Sequence, residues 1–139
     1  MDNETLFRAG SDVIKNVYHP IRHNICAVIL GESGELYSAI NMKGCAYNPC
    51  AEASAMSQVF KNKDKPVKIV AVGCNANIDT FIISPCGNCR QLFVDYNKDL
   101  IVLMPSESDD LCQEVKAIDL MFNPYISNHD PIELRMWAK

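Results

Sequence analysis

Three thiols and one carboxylate stand in two short strings of this chain. Pro49-Cys50-Ala51-Glu52 supplies one thiol and, two residues later, the carboxylate. Ser84-Pro85-Cys86-Gly87-Asn88-Cys89-Arg90-Gln91 supplies the other two thiols. Three thiolates can hold a Zn²⁺ ion and leave its fourth tetrahedral position open to water. Glu52 can sit beside that water without ligating the metal and carry protons to and from it. The spacing therefore points to metal-assisted addition of water, with Cys50, Cys86 and Cys89 as ligands, one zinc per chain, and Glu52 as acid and base.

Two plainer readings use the same residues. A structural zinc site normally takes four protein ligands, and Cys45 or Cys74 could be the fourth. Alternatively, Cys86-Gly87-Asn88-Cys89 could be a redox pair, which leaves Cys50 unexplained. The catalytic reading carries an electrostatic requirement of its own. Zinc with three thiolates is a weak Lewis acid unless their negative charge is offset. Both cysteine strings fall where a loop enters a predicted helix, so helix N-termini supply part of that offset. Arg90, next to Cys89, is the candidate to hydrogen-bond a cysteine sulfur.

Positioning these groups falls to the elements around them. Residues 4–18 carry apolar side chains at helical spacing, and His19-Pro20 ends that helix. Residues 25–30 form an apolar run of strand length, 31–34 are turn chemistry, and 35–40 return as a second strand. Residues 41–49 read as a loop and 50–62 as a helix. Residues 67–74 are β-branched and apolar enough for a strand covered on both faces. Residues 86–96 predict a helix, 100–104 a strand and 111–121 a last helix. A hairpin followed by alternating helices and strands gives an α/β fold: a mixed sheet with helices on both faces. Periodicity does not resolve residues 123–139.

The 139 residues make one domain, 1–139, with one real core. A hydrophobic share of 48% and a charged share of 22% are ordinary globular values. The net charge of −4 provides no basic stripe to track a nucleic-acid backbone, so a free small molecule is the expected substrate. No apolar run approaches the ~20 residues that span a bilayer, so no membrane partner is expected. The start of the chain is acidic and lacks a secretory pattern. Seven cysteines then read as reduced thiols in the cytoplasm. Cys26, Cys45, Cys74 and Cys112 read as small apolar residues without a role in the chemistry.

From about residue 5 to 125 the chain resembles the cytidine deaminase superfamily. The resemblance rests on the hairpin at 25–40, Asn41 at its end, Pro49-Cys50-Ala51-Glu52 and the long string from Ser84 to Gln91. Cysteine rather than histidine as first ligand points to the branch that acts on free nucleosides. The resemblance implies a three-layer α/β/α sandwich on a five-stranded mixed sheet, usually assembled as a homotetramer. It implies hydrolytic deamination of a cytosine nucleoside, with zinc on Cys50, Cys86 and Cys89 and Glu52 as proton shuttle. It also implies substrate contacts from Asn41 and from the backbone at Ala51 and Ser84.

Two departures stand out. Cytidine deaminases usually have Asn-x-Glu after the second strand, whereas this chain has Asn41-Met42-Lys43, followed by a shorter loop. The Phe that packs on the pyrimidine is replaced by His23, a candidate to stack on the ring. Both features, with Pro49, are similar to blasticidin-S deaminases, whose substrate carries cytosine on a sugar with a guanidino-amino-acid tail. Tyr125 and Trp137 are candidates to close the pocket, and His19 and His129 read as surface residues. A non-catalytic zinc module on the same scaffold is the competing reading; Glu52 separates the two, since a structural site has no use for it.

Overall fold

The computed structural model describes residues 1–108 and 110–126. Helix α1 (Asn3–Val17) opens the chain. Asp2 caps it, its Oδ1 accepting from the Thr5 amide at 2.8 Å and the Thr5 hydroxyl at 2.6 Å. Strands β1 (Ile25–Gly31) and β2 (Leu36–Ile40) form the expected antiparallel hairpin. Helix α2 (Ala51–Lys61), β3 (Pro66–Cys74), a short β4 (Thr80–Ile82), α3 (Gly87–Tyr96) and β5 (Ile101–Met104) follow. Strand β6 (Gln113–Lys116) and a 3₁₀ turn (Ala117–Leu120) complete the described elements.

The sheet runs β2-β1-β3-β5-β6, with β4 hydrogen-bonded to part of β3. The five-stranded expectation thus matches the main path, and β4 adds a sixth. Among the described strands only β3 and β5 pair in parallel, so the sheet is mixed. Alternation along β1 and β3 sorts the core into two faces. Cys26, Val28, Val70 and Val72 meet Leu6 and Ile14 of α1 on one side. Ala27, Ile29 and Ile69 meet Ala55, Met56 and Val59 of α2 and Phe93 of α3 on the other. This is the three-layer α/β/α arrangement. Gly10 lets α1 lie close to the sheet: a Cβ there would stand 2.7 Å from Val72 Cγ2. Phe60 and Tyr96 stack at 4.5 Å and hold α2 beside α3.

The predicted helix at 111–121 is not there. Gln113–Lys116 pairs antiparallel with β5, Val115 opposite Val102, and only Ala117–Leu120 turns helically. The reason is the free edge of β5, whose backbone groups need partners more than a short, isolated helix needs to form. Glu114 and Lys116 then put charge on the exposed edge. Strand β4 also escaped the sequence reading; three residues are too few to show a period. His129, Trp137 and most of the 123–139 segment lie outside the described residues. Tyr125 is within them, and its side chain is exposed.

Candidate active site and metal centre

The hairpin register decides where the site falls. Ile25 at the start of β1 pairs with Gly73 near the end of β3, and Cys26 pairs with Ile40 at the end of β2. The ends of β2 and β3 therefore share one end of the sheet. The chain leaves β2 through residues 41–50 into α2, and leaves β4 through residues 83–86 into α3. Both helices begin at that same end, and their N-termini converge there.

Cys50 is the N-cap of α2, Cys86 is the N-cap of α3, and Cys89 lies in the first turn of α3. Their three sulfurs lie within 4.8 Å of one another. A tetrahedral zinc with Zn–S of about 2.3 Å sets its sulfurs roughly 3.8 Å apart, so three sulfurs this close need only small side-chain adjustments to share one ion. Neither Cys45, which is exposed in the 42–49 loop, nor Cys74, buried in β3, belongs to it. The four-ligand structural reading finds no support among the described residues. An isolated Cys86–Cys89 redox pair does not account for Cys50 standing with them.

The donor set needs a cation. Burial pushes the Cys89 thiol well up, and Glu52 and the other two thiols push it further. Burial raises Cys50 as well. Burial also works to raise Cys86, but the amides of Cys89 and Asn88 and the neighbouring thiols outweigh it and leave that sulfur the most acidic. Three thiolates this close repel one another; a bound Zn²⁺ lets all three ionise together. The residues present fit the ion.

Glu52, in the first turn of α2, is 4% exposed. Ile69, Ala71, Ile83, Pro85 and Phe93 wall it on one side. Burial raises its pKa, partly opposed by its own backbone amide and the Cys89 thiol. On the other side it opens, with Cys50 and Cys86, onto a cavity of about 270 Å³. Ile25, Asn41, Lys43, Asn48, Ala51 and Ser84 also face that cavity. Metal donors, carboxylate and candidate substrate contacts are thus brought together in one place.

Residues 1–104 match the model of the cytidine and deoxycytidylate deaminase zinc-binding region. The chain belongs to this deaminase family. A blasticidin-S deaminase of Bacillus cereus is 34% identical over 108 residues, covering 71% of this chain and 76% of that protein. A cytidine deaminase of Sporosarcina psychrophila is 28% identical over 99 residues, covering 69% and 71%. The fold is that of the cytidine deaminase from Bacillus anthracis, with a TM-score of 0.78 at 16% identity over 98% of each chain. The deaminase family's zinc-binding region and the Cys50, Cys86, Cys89 cluster agree on a zinc cofactor.

The remaining candidates divide. Asn41 is 7% exposed and lines the cavity, but most of its side chain serves the fold. Its Oδ1 accepts from the amides of Asn24 at 2.9 Å and Ile25 at 3.0 Å, and its Nδ2 donates to Asn24 Oδ1 at 2.8 Å. One N–H of that amide remains for a ligand. Ala51 is fully buried at the start of α2. His23 is not among the residues lining the cavity; its Nδ1 meets the Asn41 carbonyl at 2.9 Å. The ring braces the end of β2 rather than presenting itself for stacking.

Arg90 differs most from expectation. Its guanidinium donates to the Pro85 carbonyl at 2.9 Å, the Ser84 hydroxyl at 2.6 Å and the Leu120 carbonyl at 3.0 Å. These three oxygens occupy the fork, and none of its hydrogen bonds goes to a cysteine sulfur. Sequence reasoning missed these partners and also Asn24, Asn48 and Ile83. Asn24 alone carried a signal, as a polar residue against the first apolar strand.

Proposed function

We propose that this chain is a zinc-dependent aminohydrolase that converts the cytosine of a nucleoside, or of a close analogue, to uracil with release of ammonia. The observation that supports it most is the buried Glu52 carboxylate facing the same cavity as the cysteine cluster. Cys50, Cys86 and Cys89 would hold the zinc. When bound, the ion supplies Lewis-acid activation of water. Glu52 takes one proton from the attacking water and passes it to the ring nitrogen beside the amine-bearing carbon; it then takes the second proton, from the hydroxyl added to that carbon, and delivers it to the amine, which leaves as ammonia. The backbone at Ala51 and Ser84 contacts the base and its amine, and Asn41 offers its spare N–H to the sugar. The apolar wall behind Glu52 excludes water from the carboxylate's far side. A structural zinc module would have no reason to bury this carboxylate beside its thiols.

Blasticidin S is the second reading for the substrate. It is favoured by the Bacillus cereus relative and by Lys43, which stands where a carboxylate would otherwise face the sugar. The proposal includes a cytoplasmic location and a homotetramer; cell fractionation and light scattering check these. The decisive experiment incubates zinc-loaded protein with cytidine, deoxycytidine and blasticidin S and follows loss of cytosine absorbance. At least one should be consumed. Glu52→Gln should keep about one zinc per chain and lose on the order of 10²–10⁴-fold in turnover or more. No turnover of any of the three, or near-normal turnover by Glu52→Gln, overturns the reading.

A further inference from the structure

Of the described side chains lining the cavity, Lys43 alone brings a cation. It is two residues beyond Asn41, in the loop that leads from β2 to α2. That loop is held by its backbone: the Met42 amide donates to the Pro49 carbonyl at 3.3 Å and the Gly44 amide to the Tyr47 carbonyl at 3.0 Å. The Lys43 carbonyl itself accepts from Arg22 Nη1 at 2.9 Å. Arg22 therefore lies against the loop that forms this lip. Among the described residues neither side chain forms an ion pair, and the Lys43 ammonium makes no hydrogen bond. This is a chain of net charge −4, with 17 acidic residues against 13 basic ones. Lys43 at the mouth of its cavity, with Arg22 against the same loop, leaves local positive charge there. Glu52 lies at the inner end of the cavity, so a ligand whose base reaches Glu52 would extend outward past Lys43.

We infer that Lys43 is a specificity residue that favours cytosine nucleosides bearing an anionic group, a carboxylate or a phosphate, on the sugar. The inference rests on the reading above, in which the base points to Glu52 and the sugar toward Asn41 and the loop. The anion would accept a hydrogen bond from the Lys43 ammonium. Arg22, through the Lys43 carbonyl, holds the loop in place and adds charge to the lip.

The test compares wild type, Lys43→Gln and Lys43→Arg on cytidine, cytidine 5′-phosphate and the 5′-carboxylate of cytidine. The quantity read is the kcat/KM of each anionic substrate relative to cytidine. That ratio should fall about tenfold in Lys43→Gln, the size of one charge-assisted hydrogen bond. It should return in Lys43→Arg and weaken with added salt. A preference for the phosphate alone assigns a nucleotide, and one for the carboxylate alone a sugar acid. Equal ratios in wild type and Lys43→Gln overturn the inference. Calorimetry of uridine, its 5′-phosphate and its 5′-carboxylate on the same zinc-loaded proteins separates this outcome from failure of the deaminase reading. If no substrate turns over, tighter binding of the anionic uridines by wild type, lost in Lys43→Gln, still supports Lys43. Equal binding by both proteins overturns it.

Discussion

Asn41 shows how a single side chain serves both the fold and the pocket. Its oxygen satisfies two adjacent amides at the entrance to β1, and its nitrogen ties Asn24 to the same point. Removing it leaves those part-buried amides without a partner, which costs about 1–3 kcal/mol. Asn41→Ala should therefore lower the thermal midpoint markedly. Asn41→Asp, which keeps the acceptor, should lose less. Denaturant unfolding of both variants checks this, and an Ala variant as stable as wild type refutes it. The residues most legible in the sequence were those whose chemistry restricts their type. A metal site needs thiols and a proton shuttle needs a carboxylate, so Cys50, Cys86, Cys89 and Glu52 announce themselves. The roles of Arg90 and His23 did not, because their partners are mostly backbone carbonyls, those of Pro85, Leu120 and Asn41. A carbonyl belongs to every residue and leaves no mark on the sequence.

Elements were readable where a full period was present. Helix α1, the β1–β2 hairpin, α2, β3, α3 and β5 lie within a residue or so of their expected bounds. β4 and β6 are short, and only pairing with β3 and β5 makes them strands. Turns show the same dependence on distant partners. The Asp64 carboxylate, between α2 and β3, accepts from the Ser33 hydroxyl, from the amides of Ser33 at 3.2 Å and Lys65 at 2.8 Å, and from the Tyr37 hydroxyl at 2.9 Å. It fastens the hairpin turn to the α2–β3 turn. Gly31 leaves room for it, since a Cβ there would stand 2.1 Å from Asp64 Oδ2. Burial pulls the Asp64 pKa up, but these hydrogen bonds outweigh it and hold the carboxyl below its ordinary 3.8. The folded state thus holds this proton less tightly than the unfolded chain. Its stabilisation is present above the unfolded value and lost as pH falls through the folded one. Asp64→Ala should be less stable than wild type at pH 7 by about 1–2 kcal/mol. The gap should narrow below about pH 4. Melting curves at pH 7 and pH 3 decide it, and a gap that does not change with pH refutes it.

Across the whole molecule, α3 joins the metal cluster to the last described segment. Cys89 is followed at once by Arg90, on the Leu120 carbonyl, and Gln91, whose Nε2 donates to the Tyr125 carbonyl at 2.8 Å. The same Arg90 grips Ser84 and Pro85, the residues that lead into Cys86. Arg90→Ala should loosen both ends of this latch. Chelator competition should show zinc held about 10–100-fold less tightly, the usual effect of losing a residue that orients metal ligands. Hydrogen exchange over residues 118–126 should rise. Arg90→Lys should not restore either, because one ammonium cannot span three oxygens. Unchanged zinc affinity with unchanged exchange would remove Arg90 from the positioning of the metal.

The latch also imposes an order in time. Synthesis delivers all three thiols by residue 89, and the carbonyls of residues 120 and 125 only later. A growing chain thus owns every metal donor before it owns the oxygens that fasten their helix. The centre can capture its ion early on a loose scaffold and be tightened only as the final segment comes to lie across α3.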